Sequence, residues 1–188
     1  MVELTSLWLP VLVSAVAVFI ASSIVWMVLP HHKTDWRTLK DDRTIQEFIR
    51  GQGLTGGMHM FPACRPDDLK SPEAQERFKT GPWGTLIVLG GPPSMGRSLG
   101  QWFVYLVVVG ILVAYVAGRS FGAGASFQSL FRLTSVVAWL AYSGAAPCGS
   151  IWEGKPWSFT WKNVLDGLAY GLATGAIFGW LWPDAAAT

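Results

Sequence analysis

The chain has 188 residues, of which 51% are hydrophobic and 14% charged, and its mean hydropathy is +0.36. Charged residues make up about a quarter of a soluble domain, so this balance points to a membrane protein. The eleven Trp suit rings half buried at a membrane–water boundary. A formal charge of +2, with no basic run interleaved with aromatics, excludes nucleic acid as a partner, and two cysteines without a CxxC exclude a disulfide framework, a zinc ribbon and c-type haem attachment.

The first uncharged stretch is "LWLPVLVSAVAVFIASSIVWMVL", residues 7–29. About 20 apolar residues cross a hydrocarbon core, and Glu3 in place of a basic leader predicts a retained span rather than a signal peptide. His31 and His32 follow beside Lys33 and read as an interfacial polar cap.

Residues 31–98 form a soluble insert of mixed α/β character. "LKDDRTIQEFIRGQG" predicts a helix with Ile45, Phe48 and Ile49 on one side, ended by Gly51 or Gly53. "SPEAQERFKTG" predicts another, with Ser71 as cap, Pro72 in the first position and Gly81 as the stop. "GMHMFP" and "WGTLIVLGG" predict short strands. The insert is small for a core of its own and is expected to lie on the membrane surface or on a partner. "MHMFPAC" puts His59 and Cys64 near two methionines, a weak candidate for soft-metal binding. Strand packing is the better account of it, each cysteine reads as a small buried side chain, and no cofactor is expected. "GGPPSMGRS" lacks the Gly-Lys-Ser/Thr end of a P-loop and reads as a turn with Arg97 facing lipid phosphate.

Three further spans are expected at about 99–118, 133–152 and 164–182, giving an all-α integral membrane protein with four transmembrane helices. The third carries Thr134, Ser135, Tyr142 and Ser143, and Pro147 should kink it. The fourth holds Gly167, Gly171, Gly175 and Gly179 at a spacing of four. Such a face lets another backbone approach closely, and the third span, with Ser143 to Ala146, is the favoured partner. Asp166 is the one acid inside a predicted span. An intramembrane acid is a functional suspect for ion or proton handling. The structural alternative is a first-turn acid favoured by the helix dipole and paired with Lys162, four residues earlier.

Lys and Arg concentrate in the insert, with Lys155 and Lys162 on the same side and Arg119 and Arg132 opposite. The positive-inside rule then puts the insert in the cytoplasm and both termini outside. "LWLPVLVSAVAVFIASSIVWMVLP", "PPSMGRSLGQWFVYLVVVG" and "DGLAYGLATGAIFGWLWP" resemble a group of small uncharacterised bacterial inner-membrane proteins with four predicted spans. The resemblance implies a bacterial inner membrane and no catalytic residue. No catalytic motif stands out, so the favoured reading is a non-enzymatic scaffold, assembly factor or accessory subunit, held by a membrane-protein partner or as a homo-oligomer. A small oligomeric transporter or channel is the alternative. An interfacial enzyme acting on lipid is a third reading, requiring convergence of His31, His32, Asp35, His59 and Asp166.

Overall fold

A computed structural model describes residues 1–62 and 70–185, so Cys64 lies outside the described residues. In chain order the elements are α1 (Trp8–Ser23), α2 (Asp42–Gly51), β1 (Gly57–Phe61), α3 (Pro72–Thr80), β2 (Gly84–Val88), α4 (Met95–Ser120), α5 (Phe127–Ser143), α6 (Ala146–Glu153) and α7 (Trp157–Trp180). They fall into two compact units. One is helical, comprising Met1–Trp36, Met95–Ile151 and Lys155–Thr188; the other comprises Arg37–Ser94 with Trp152–Gly154. Residues 31–36 thus cluster with the helices rather than with the insert.

Two helical stretches are long and apolar enough to cross a membrane, Leu4–Val28 and Met95–Ser120. Only 28% of each apolar window is buried inside the protein, so most of its apolar side chains, such as Val16, Ile20, Val108 and Leu112, face outward. The four expected spans therefore reduce to two by this measure, and the reasons are local. The stretch 133–152 is not one helix. α5 starts at Phe127, because Ser126 caps it by accepting from the Ser129 amide, and ends at Ser143. Pro147, which has no N–H and clashes with a preceding carbonyl, sits in the first turn of the separate α6. α5 has 17 residues, about 26 Å of helix. α7 has 24 residues and ample length, but its glycines, Lys162 and Asp166 dilute its apolar content.

Within the helical unit α5 packs along α7, α1 packs on α4 and α7, and α4 packs on α5. Leu7, Val11, Val113, Leu130 and Phe178 form one core cluster, and Ala15, Val18, Leu106 and Tyr170 form the other. The four glycines of α7 all face α5. A Cβ on Gly171 would stand 2.8 Å from the Ser135 carbonyl oxygen and 2.9 Å from the Trp139 amide nitrogen; one on Gly179 would stand 2.6 Å from the Phe127 ring. Gly167 meets Ser143, and Gly175 meets Phe131 and Ser135. The register descends along α5, so the pair is antiparallel. Two of the buried hydroxyls bond within their own helices, Thr134 donating to the Leu130 carbonyl and Thr174 to that of Tyr170. Both chain ends meet at one end of this unit: Val2 N–H donates to the Gly118 carbonyl, Gly124 N–H to that of Pro183, and the Trp182 indole to that of Gly122.

In the smaller unit Asp41 caps α2 by accepting from the Thr44 amide, and Ser71 caps α3 by accepting from that of Ala74. Gly81 stops α3 at φ +64°, a left-handed value that favours glycine. β1 and β2 pair antiparallel, with His59 opposite Leu86. Ala74 is the one buried residue among the described residues of this unit. Phe48, Met58, Phe61, Trp83 and Ile87 are all exposed.

Candidate functional site

At the end of the helical unit away from the termini, the first apolar helix runs out through a π turn, Ile24–Val28. Leu29 is extended, as the residue before a proline prefers, and Pro30 opens a 3-10 turn over Pro30–His32. This turn folds "HHKTD" back over α7. Lys162 and Asp166 lie one turn apart on α7, so both reach the same short segment.

His32 is the centre of what results. It is 5% exposed, and the Trp26 ring stacks on it at 3.8 Å with 7° between planes. Its Nδ1 lies 2.5 Å from Asp35 Oδ2 and its Nε2 lies 2.7 Å from Asp166 Oδ2. The ring thus bridges two carboxyl groups, one on the turn and one on α7. His31 Nε2 stands 3.4 Å from Asp166 Oδ1. Lys162 Nζ donates to Asp35 Oδ1 at 2.5 Å and to the Thr34 hydroxyl at 3.1 Å. Burial pushes the Asp35 carboxyl up, but the hydrogen bonds and charges of Lys162 and His32 outweigh it and hold the group below the usual carboxylate range.

Several expectations change here. Lys162 is given to Asp35 rather than to Asp166, because the turn offers both an acid and histidines to the same face of α7. Asp166 is not a first-turn acid, since α7 begins at Trp157 and has no acid in its first turn. His31 and His32 are more than a polar cap, for His32 is buried and bonded on both sides. His59 belongs to the smaller unit, where its Nε2 meets the Thr55 carbonyl oxygen at 3.0 Å. Its expected companion Cys64 is outside the described residues. Cys148 is exposed on α6, contrary to the expected buried thiol.

Beside the cluster lies a cavity of about 490 Å³. Trp26, Met27, Met95, Leu99, Trp102 and Tyr142 supply most of its wall, and Asp166, Asn163, Tyr170 and the serines Ser22 and Ser23 supply polar atoms. Met27 and Met95 are exposed and form the rim. The Trp102 indole donates to Ser22 at 2.9 Å, tying α4 to α1 across the cavity. Tyr170 is 5% exposed, with its hydroxyl buried near the Trp26 indole and Asp166. The sequence pointed to Asp166 and Lys162 and named His31, His32 and Asp35 among residues that could converge, with no spacing that required it; Tyr170 carried no signal.

Comparisons with family models, with curated proteins and with solved structures find no match. The functional reading therefore rests on this geometry.

Proposed function

We propose that this chain is a multi-pass membrane protein that binds an amphiphile from the lipid phase at the cavity, with the His31–His32–Asp35–Asp166 centre acting on or holding its polar head. The observation that carries this reading is a mostly apolar cavity that has Asp166, Asn163 and Tyr170 in its wall and lies beside the His32 centre. Ligand sites are mostly apolar with a few placed polar groups, and the depth of this one, at the end of the helices beside Trp26 and Trp102, suits a molecule lying at the membrane boundary. α1, α4, α5 and α7 serve as the four membrane helices, the two less apolar ones turning their polar and glycine faces inward. The concentration of Lys and Arg around the insert, with both termini at one end, supports a bacterial inner membrane with the termini outside. Among the readings weighed from sequence, this is the interfacial, lipid-directed one.

The test is native mass spectrometry of the chain released from nanodiscs. The expected result is one retained amphiphile per chain, lost in Leu99→Trp, which fills the cavity, and held about tenfold more weakly in Tyr170→Phe, as the loss of one hydrogen bond implies. A wild-type chain with no adduct, or equal retention in both variants, would contradict it.

A second reading, the accessory subunit, draws on the smaller unit, whose exposed Phe48, Phe61, Trp83 and Ile87 call for a cover that one buried alanine does not provide. A stoichiometric membrane-protein partner recovered after mild solubilisation supports it; recovery of the chain alone counts against it.

A further inference from the structure

We propose that His31, His32 and Asp166 form a site for a divalent transition-metal ion of the zinc class, whose remaining coordination position takes an anionic head group or water. This rests on the amphiphile reading only for the source of that last ligand.

The donor set comes first. One ligand atom from each of the three residues lies within 4.8 Å of the others. Zinc bonds to imidazole nitrogen and carboxylate oxygen at about 2.0–2.2 Å, which sets neighbouring ligand atoms of a tetrahedral site about 3.3 Å apart. His31 Nε2 and Asp166 Oδ1 are already 3.4 Å apart. His32 Nε2 faces the other oxygen, Asp166 Oδ2, at 2.7 Å, so an ion held by both rings needs that pair to open by about 0.6 Å or the carboxylate to turn one oxygen toward both. Two imidazoles and one carboxylate suit zinc with three protein ligands and one open position.

The surroundings are those of a metal-ligating histidine. Such a ring gives its other N–H to a carboxylate, which fixes its tautomer. His32 does so through Nδ1 to Asp35, Asp35 is held in turn by Lys162, and Trp26 pins the ring plane.

Charge identifies the last ligand. Two carboxylates, the Lys162 ammonium and a divalent ion, with both rings neutral, leave one positive charge. Asp166 is also part of the cavity wall, so a phosphate-type head group of an amphiphile, or hydroxide, can neutralise it from that side. An ion there supplies a Lewis acid at the boundary between cavity and head group.

The test uses the full chain in nanodiscs, stripped by chelation and titrated with zinc alone, then with cobalt as a spectroscopic stand-in. The expected result is one zinc per chain and, with cobalt, the strong visible absorption of a four-coordinate ion. His31→Ala and Asp166→Asn should each weaken zinc binding more than about 100-fold, Asp35→Asn by about 10- to 100-fold, and His59→Ala not at all. His31 is the least buried of the three, its side chain 36% exposed, so His31→Ala is the variant least exposed to a folding defect, and thermal melting confirms the folded state. Absence of stoichiometric zinc in the folded wild type overturns the proposal, as does affinity undiminished by His31→Ala. If zinc is refused while the amphiphile is still retained, the metal site falls and the cavity reading stands. If zinc is bound and no amphiphile is retained, the metal site stands and the cavity reading falls.

Discussion

At the scale of single residues, a buried acid finds whichever donors its surroundings bring. Lys162 and Asp166 share a face of α7 at the spacing that pairs opposite charges on an isolated helix. The "HHKTD" turn then arrives with an acid and two histidines and takes both partners. Asp35 and Lys162 are 127 residues apart in sequence, and His32 and Asp166 are 134 apart. Nothing in local spacing reports such pairings, whereas His32 and Asp35, three residues apart, were within reach of a sequence argument. The exchange of partners is measurable. A double-mutant cycle of Lys162→Met with Asp35→Asn should give a coupling of about 1–3 kcal/mol in denaturant unfolding, the range for directly contacting groups. The cycle of Lys162→Met with Asp166→Asn should give clearly less. Larger coupling in the second cycle would restore the pairing along the helix.

At the scale of elements, the parts with strong local chemistry were legible. Ser71, Pro72 and Gly81 bracket α3 where capping rules place them, and both insert strands form and pair. The spans were harder, because hydropathy marks apolar residues and not helix ends. α7 begins at Trp157, well ahead of the expected start near Val164, since Pro156 occupies its cap position and polar residues continue the helix beyond the apolar core. Pro147 was expected to kink one helix and instead separates two. The glycine face is the element-scale feature with the sharpest consequence. Gly171 has backbone atoms of Ser135 and Trp139 within 3 Å of any added Cβ, and backbone cannot swing aside. Gly171→Ala should therefore destabilise the protein by about 1–3 kcal/mol through overpacking. Gly100 on α4 has nothing within 4 Å of an added Cβ, so Gly100→Ala should be neutral or slightly stabilising, given alanine's better helix propensity. Thermal unfolding of the two variants side by side checks the contrast, and equal effects would remove the close-packing account.

At the scale of the whole molecule, composition pointed to a membrane protein and two helices are long and apolar enough to cross one, while the paucity of buried residues among the described residues of the smaller unit follows from its polar, short-element sequence. The helical unit has a clear polarity. Both chain ends, Gly118 and Gly122 gather at one end, joined by backbone and indole hydrogen bonds; the other end carries the His32 centre and the cavity. That cavity was not legible, because it is made by α1, α4, α5 and α7 together and its decisive atom, the Tyr170 hydroxyl, sits on a residue that reads as ordinary helix packing. The central claim, that this end of the protein receives the polar head of an amphiphile, is tested most directly by an experimental structure of the chain in a lipid nanodisc. The account predicts elongated density in the cavity with its polar end within hydrogen-bond distance of the Tyr170 hydroxyl and close to Asp166. A cavity closed by side chains, or filled only by water, would contradict it.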